Sequence, residues 1–274
     1  MSRKLLPLNP RQMVGLADGN SFYCSCEESM QPWLHGKPII VASNNDGCAI
    51  AMNRPAKRYV RMGDALFQIA DTIREHGIVT FSSNYELYGD MSNRMHSIWA
   101  SFVPNLEIYS IDEAFCDMTG TSSLYGNPVD FAHRLKDEIH TRLGFTVNIG
   151  ISSNRLLAKT ASDFEKPDKV HTLFPSEMEE KFWPLPIEDL FFVGKSTALR
   201  LRSLGITTIG QLAKSDHAMI LSVFKSHGDT IWNYANGIES TPLSHNDAAS
   251  KGFGNSLTLQ YDVTDTAVAK HVLL

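Results

Sequence analysis

The chain has 274 residues, 43% of them apolar and 20% charged, which is enough for one large domain or two to three smaller ones. Its formal net charge of -5 excludes a chain-wide cationic field for nucleic acid, so any such binding must rest on local patches or metal ions. No run of 18 apolar residues occurs, and residues 1–7 carry charge without the apolar core of a secretory leader; a soluble cytoplasmic chain with no membrane partner is expected.

In chain order, residues 13–17 read as a strand leading into Asp18, and residues 38–42 as a second strand followed by the turn signal Asn44-Asn45-Asp46-Gly47. From Asp64 the apolar period becomes helical through Leu66, Ile69, Ala70 and Ile73, ending at Gly77. Met91, Met95, Ile98 and Phe102 mark another helix flank, and residues 107–110 and 114–118 read as strands on either side of Asp112-Glu113. Asn127 is placed as an N-cap with Pro128 at the first helical position, and Phe131, Leu135 and Ile139 face inward until Gly144. A strand over 146–149 and a helix from Arg155 to Ala161 follow, so the pattern is a sheet with helices against it.

Prolines and aspartates over 163–186 break the chain before a compact helical segment at 187–237, in which Gly194 opens one helix and residues 207–212 open another. GxxxxGK[ST] spacing is absent, so Gly194-Lys195-Ser196 is not a P-loop. Residues 239–250 look like a linker, 256–261 alternate like a strand, and Thr264 is placed to cap a helix beginning at Asp265. The last twenty residues read as the start of a further domain. The four cysteines, at 24, 26, 48 and 116, form no paired CxxC and read as reduced, buried thiols.

Acidic residues interrupting apolar runs single out Asp18, Asp112 and Glu113, because buried carboxylates need a partner or a cation. Three carboxylates at sheet ends can hold two divalent ions, activate a hydroxyl and neutralise a transferring phosphoryl group. Adjacent strand residues point to opposite faces, so Asp112 and Glu113 can act together only if the backbone bends there. Each signal also has an ordinary reading. The acidic pair can be a solvated turn, Phe22-Tyr23 can be core aromatics, and the groups Arg54, Lys57, Arg58, Arg61 and Arg155, Lys159 can be solvated helix faces rather than polyphosphate ligands.

Together, the segments 18–27 (DGNSFYCSCE), 43–48 (SNNDGC), 82–92 (SSNYELYGDMS) and 109–115 (YSIDEAF) resemble the Y-family translesion DNA polymerases, in particular the bacterial UmuC-like branch; 228–237 (GDTIWNYANG) and 251–256 (KGFGNS) continue the likeness. The resemblance implies an α+β fold: a palm at 12–22 and 82–167, a small inserted fingers domain at 23–81, an all-helical thumb at 168–237, a linker at 238–254, and only the start of a little finger at 255–274. It implies template-directed addition of dNTPs to a primer 3'-hydroxyl, with lesion bypass at low fidelity and low processivity. Asp18, Asp112 and Glu113 take the catalytic positions and, with the main-chain oxygen of Gly19, hold two Mg2+ ions, for which Mn2+ can substitute. Tyr23 takes the place of the sugar-discriminating ring, and Lys57, Lys159 and, less consistently within the family, Arg54 the places of triphosphate ligands. Primer-template DNA is the implied partner, whereas the C-terminal peptide commonly used for a sliding clamp is not carried by these residues. Two departures stand out: no glycine separates Tyr59 and Val60, and Phe192 occupies the first glycine position of a thumb GxG pair whose second is Gly194. The other readings are a non-catalytic DNA- or protein-binding form and a template-independent cyclase or nucleotidyltransferase.

Overall fold

In a computed structural model of the chain, the residues described are 12–43, 47–239, 241, 243, 252, 254, 259 and 261–273. The central turn residues 44–46, most of the 239–250 linker and most of the 256–261 strand expectation lie outside them. Strand β1 (Val14–Gly19) is buried throughout and leads into α1 (Phe22–Met30). β2 (Ile39–Ala42), β3 (Ala49–Met52), α2 (Ala70–Glu75) and β4 (Val79–Ser82) come next. α2 is shorter than the apolar period predicts, because the backbone before it is engaged with the strand region: Ala65 bridges Cys48, and Leu66 N–H donates to Gly47 O. β2 lies between antiparallel β3 and parallel β4. Period-2 alternation sends Ile40 into a small core with Ala49, Met52, Val60 and Ile78, and sends Ile39 and Val41 into the main core.

Helix α3 (Tyr85–Ala100) begins six residues before the expected apolar flank, because Asn84 Oδ1 accepts from Leu87 N–H at 3.1 Å and sets the N-terminus there. β5 (Leu106–Ile108) and β6 (Glu113–Asp117) follow, then the short α4 (Ser122–Tyr125). α5 (Pro128–Leu143) starts as the sequence predicts, Asn127 Oδ1 accepting from Val129 and Asp130 N–H at 3.0 Å each, and stops at Gly144 with φ of +79°. β7 (Val147–Ser152), α6 (Arg155–Ser162) and β8 (Val170–Thr172) complete a five-stranded sheet of order β5-β6-β1-β7-β8.

The two faces of that sheet are covered by different helices. Ala17, Ala114, Ile149 and Ile151 join residues of α3 and α5 in one core, while Val14, Leu16 and Phe115 pack with Ala158 of α6. Gly150 shows how close α6 lies: a Cβ there would stand 2.0 Å from Ala158 O, so only glycine fits. Leu157 and Ala161 of α6 belong to a further core built from the helical segment: α7 (Met178–Lys181), α8 (Lys195–Ser203), α9 (Ile209–Ala213), α10 (His217–Phe224) and α11 (Ser226–Ala235). Asn154 ties the two regions by donating its amide to Gly237 O at 2.9 Å.

Thr208 and Gln211 form a reciprocal capping box at α9. α12 (Thr266–Leu273) takes its capping oxygen from Asp265, whose Oδ1 accepts from Ala267 N–H at 2.7 Å, rather than from Thr264. The whole is a mixed α+β architecture, as the sequence predicts.

Candidate active site

Register brings the separated carboxylates together. In the antiparallel β1–β6 pair Asp18 stands opposite Glu113, and Gly19 N–H donates to Asp112 O at 2.9 Å. The bend needed for adjacent acids to share a site is present: residues 110–112 leave strand geometry immediately before β6 begins at Glu113. Ser110 Oγ lies 2.8 Å from Asp112 Oδ1 and 3.3 Å from Glu113 Oε2, gathering both side chains. A Cβ on Gly19 would meet Phe22 at 3.2 Å and Asp112 Cβ at 3.4 Å, so glycine permits this close approach of the β1 end to the acidic bend.

Burial makes these groups expensive as bare anions. Asp18 is 8% exposed, and desolvation, with Glu113 and Asp112 adding to it, overrides the opposing pull of Lys166 and pushes its carboxyl up to about 6. Asp112 is also pushed up by burial, against the hydrogen bond from Ser110 and with Glu113 adding to the rise. Lys166 Nζ is 2.5 Å from Asp18 Oδ2 and 2.9 Å from Asp163 Oδ1; burial works against its charge, but the two aspartates prevail and lift it to about 12. Lys159 pairs in the same way with Glu113. Among the described residues no three His, Cys, Asp or Glu side chains form a ready-made ligand cluster for one ion. Two ammonium groups instead satisfy carboxylate oxygens of this site. The donors nevertheless fit a hard cation, being carboxylate oxygens alone, with Asp18 and Asp112 costly to ionise where they stand.

Asp18 and Asp112 line a cleft of about 840 Å³ together with Arg54, Lys57, Arg61 and Lys166. Tyr23 lines it too, stacked on Tyr88 with ring centroids 4.4 Å apart and set edge-on to Tyr85 at 6.0 Å. Of the small residues before and within β3, Ala51 borders the cleft, whereas Ala49 is buried in the small core. Where a glycine is missing between Tyr59 and Val60, the Tyr59 ring stacks on His76 at 3.9 Å and Val60 is buried.

The second cationic group lies elsewhere. Arg155 is committed to Glu107 at 2.8 Å and sits over the Phe115 ring, and with Lys159 it lines a separate cavity of about 200 Å³ with Tyr109, Phe191 and Phe192. Lys159 therefore reaches the acidic group from the side of α6, through Glu113, and not from the large cleft. Sequence reasoning passed over Lys166, because Asp163, Pro167 and Asp168 read as a break between domains and a lysine among them looks solvated.

Asp18, Asp112 and Glu113 gather where β1 meets β6, and the first two line a cleft shared with Arg54, Lys57, Arg61 and Lys166, an arrangement of the kind suited to phosphoryl transfer. Residues 17–163 match the family model described as "IMS: impB/mucB/samB family", and the chain belongs to that family. It is 42% identical over 230 residues to a DNA polymerase IV of Clostridium acetobutylicum, covering 83% of this chain and 57% of that protein. It is 40% identical over 219 residues to Protein UmuC of Salmonella typhimurium, covering 77% and 52% respectively. The chain thus spans rather more than half the length of these relatives. The fold matches the crystal structure of DinB from Sulfolobus solfataricus with a TM-score of 0.75 at 25% identity, over 84% of this chain and 69% of that one.

Proposed function

We propose that this chain is the catalytic portion of a template-directed DNA polymerase that adds dNTPs to a primer 3'-hydroxyl and extends past damaged template bases. The observation that carries the reading is the abutment of Asp18 on Asp112-Glu113, at a cleft that Arg54 and Lys57 also line. Residues 12–22 and 82–167 serve as palm, 23–81 as fingers and 168–237 as thumb. Asp18, Asp112, Glu113 and the Gly19 carbonyl would hold two Mg2+ ions, with Mn2+ as a substitute. When bound, such ions lower the pKa of the primer hydroxyl and screen the charge of the transferring phosphoryl group.

The protein's own part is to bind and orient. Arg54, Lys57 and Arg61 take the triphosphate oxygens from the cleft wall. Lys166 and Lys159 act as internal counter-ions of the acidic group, a charge balance that bound cations would supply in their place; Lys166 also lines the cleft, within which it would face the triphosphate. Tyr23, braced by Tyr88, presents its ring to the sugar and excludes a 2'-hydroxyl.

Relatives' names support the substrate class, since they are called DNA polymerase IV. Low fidelity accords with the small side chain of Ala51, which borders the cleft between Ile50 and Met52 of β3. The test is primer extension by the wild type against Asp112→Asn. The wild type is expected to extend, and the variant to fall by at least about 10³-fold, or ~4 kcal/mol of barrier. Equal rates in both remove Asp112 from the chemistry. A non-catalytic DNA- or protein-binding reading is favoured by one feature, the exposed Phe192 ring, which stands in the way of the phosphate approach that a grip on primer-template needs. It requires DNA or partner binding that survives loss of all three carboxylates and no extension even with Mn2+.

A further inference from the structure

Behind the acidic bend, α3 carries two buried polar side chains that no step above uses, Ser92 and His96, which are 6% and 5% exposed. Ser92 Oγ donates to Ile111 O at 2.5 Å, and His96 Nδ1 lies 3.3 Å from the same Oγ. A serine hydroxyl has one hydrogen. With that hydrogen committed to Ile111, His96 must donate from Nδ1, so Nε2 is bare, and it has no hydrogen-bond partner. The pair forms a relay in one direction, from imidazole N–H to hydroxyl to the carbonyl of the residue preceding Asp112.

Two consecutive carbonyls of the bend are therefore held by different elements. α3 holds Ile111 O through Ser92, and β1 holds Asp112 O through Gly19 N–H at 2.9 Å. Fixing both peptide planes fixes the direction of the Asp112 Cα–Cβ bond, which must leave the sheet while Glu113, one residue on, stays in it opposite Asp18. Without the first bond the Ile111–Asp112 peptide can rotate, the half-buried carbonyl loses its partner, and the separation between the Asp112 and Asp18 oxygens becomes variable.

We propose that Ser92, oriented by His96, is a positioning residue that sets the Asp112 carboxylate for divalent-cation binding. The proposal rests on the reading of Asp18, Asp112 and Glu113 as cation ligands. Misplacement by about 1 Å in such a site costs on the order of 10²-fold in rate. Alanine at 92 removes one oxygen in a helix interior with little change of volume, so fold and DNA contact are preserved while the cation site loosens.

Three measurements on wild type, Ser92→Ala, His96→Leu and His96→Asn separate the outcomes. Free Mn2+ is followed by electron paramagnetic resonance as Mn2+ is titrated into protein with dideoxy-terminated primer-template and dNTP. Primer extension then gives kcat and the dNTP KM, and thermal melting reports the fold. Ser92→Ala and His96→Leu are expected to weaken Mn2+ binding and lower kcat by at least about tenfold, with dNTP KM changed less than about threefold. His96→Asn, whose amide N–H can replace Nδ1–H, is expected to recover most of both. Wild-type Mn2+ affinity and kcat in Ser92→Ala overturn the proposal, as do losses in kcat that only track a falling melting temperature or appear equally in His96→Asn. If the wild type binds Mn2+ in an Asp112-dependent way yet extends no primer, the polymerase reading fails and the Mn2+ affinities still decide the role of Ser92. Absence of any Asp112-dependent Mn2+ binding overturns both.

Discussion

Asp18 concentrates the largest electrostatic cost of the site in one carboxylate, buried at the end of the central strand with two more acids beside it. Its rise from 3.8 to about 6 means that the folded, cation-free chain holds the proton more tightly than the unfolded chain does. That contribution to stability is fully present below pH 3.8 and is lost as pH climbs through about 6, a loss on the order of 3 kcal/mol. Asp18→Asn removes the charge without changing the shape, and Lys166 keeps Asp163 as a partner. In EDTA at pH 7 the variant should melt above the wild type, with a flatter melting-temperature profile between pH 4 and 6. Added Mg2+ should stabilise the wild type and leave the variant unmoved. A variant that melts lower in EDTA, or still responds to Mg2+, contradicts this account. Tyr23 sits in the same cleft as a ring held by a ring: the stack on Tyr88 leaves it little rotational freedom. Tyr23→Ala should raise ribonucleotide incorporation relative to deoxyribonucleotide by at least about tenfold, ~1.4 kcal/mol. Tyr23→Phe should not, since the ring and not the hydroxyl does the excluding. Unchanged selectivity in the alanine variant takes Tyr23 out of the gate.

At the scale of elements, the hairpin before α8 shows what a family position is for. Phe192 has φ of +71°, a left-handed backbone that costs a bulky L-residue roughly 1–2 kcal/mol and a glycine almost nothing. The ring that pays this cost is 58% exposed, with edge contacts to Phe191 at 4.8 Å and Tyr234 at 5.9 Å as its compensation. It stands two residues before Gly194, the N-cap of α8, where backbone N–H groups could otherwise approach a phosphate. Phe192→Gly should relieve the backbone, lose some aromatic contact, and change stability by less than about 1 kcal/mol. Affinity for primer-template, measured by fluorescence anisotropy, should rise several-fold, and a fall would show that the ring itself holds DNA. The sequence disclosed this departure but not its geometry, which depends on a dihedral angle. Elements with local signals were legible: α5 is announced by Asn127-Pro128 and Gly144, and α9 by Thr208 and Gln211. The start of α2 was not, because the pairing of Ala65 with Cys48 is a non-local choice that overrides a helical apolar period.

For the molecule as a whole, the site exists because three layers meet on α6. The acids were legible as charges inside apolar runs, yet their convergence depends on the β1–β6 register, which places Asp18 opposite Glu113 across nearly a hundred residues of chain. Lys166 and Ser92 were illegible for the opposite reason: a lysine in a loop and a serine in a helix are ordinary until something buried faces them. α6 supplies Lys159 to Glu113, Ala158 to the sheet and Leu157 to the core of the helical segment. Leu157 is fully buried, and the Gly237 position lies against it, so that a Cβ there would stand 3.5 Å from Leu157 Cδ1. The core of the helical segment is closed on one side by Leu157 and Ala161 of α6, the helix that also packs on the sheet, and the two regions should unfold together. Calorimetry is expected to show one transition, with Leu157→Ala lowering its midpoint through a loss of about 2–5 kcal/mol while keeping it single. If the helical segment were autonomous, the wild type would show two transitions, and Leu157→Ala would move the one belonging to the helices alone. The coupling bears on chemistry because a loosened α6 also lets go of Glu113, so metal-dependent extension should decline in Leu157→Ala below the melting range, not only within it.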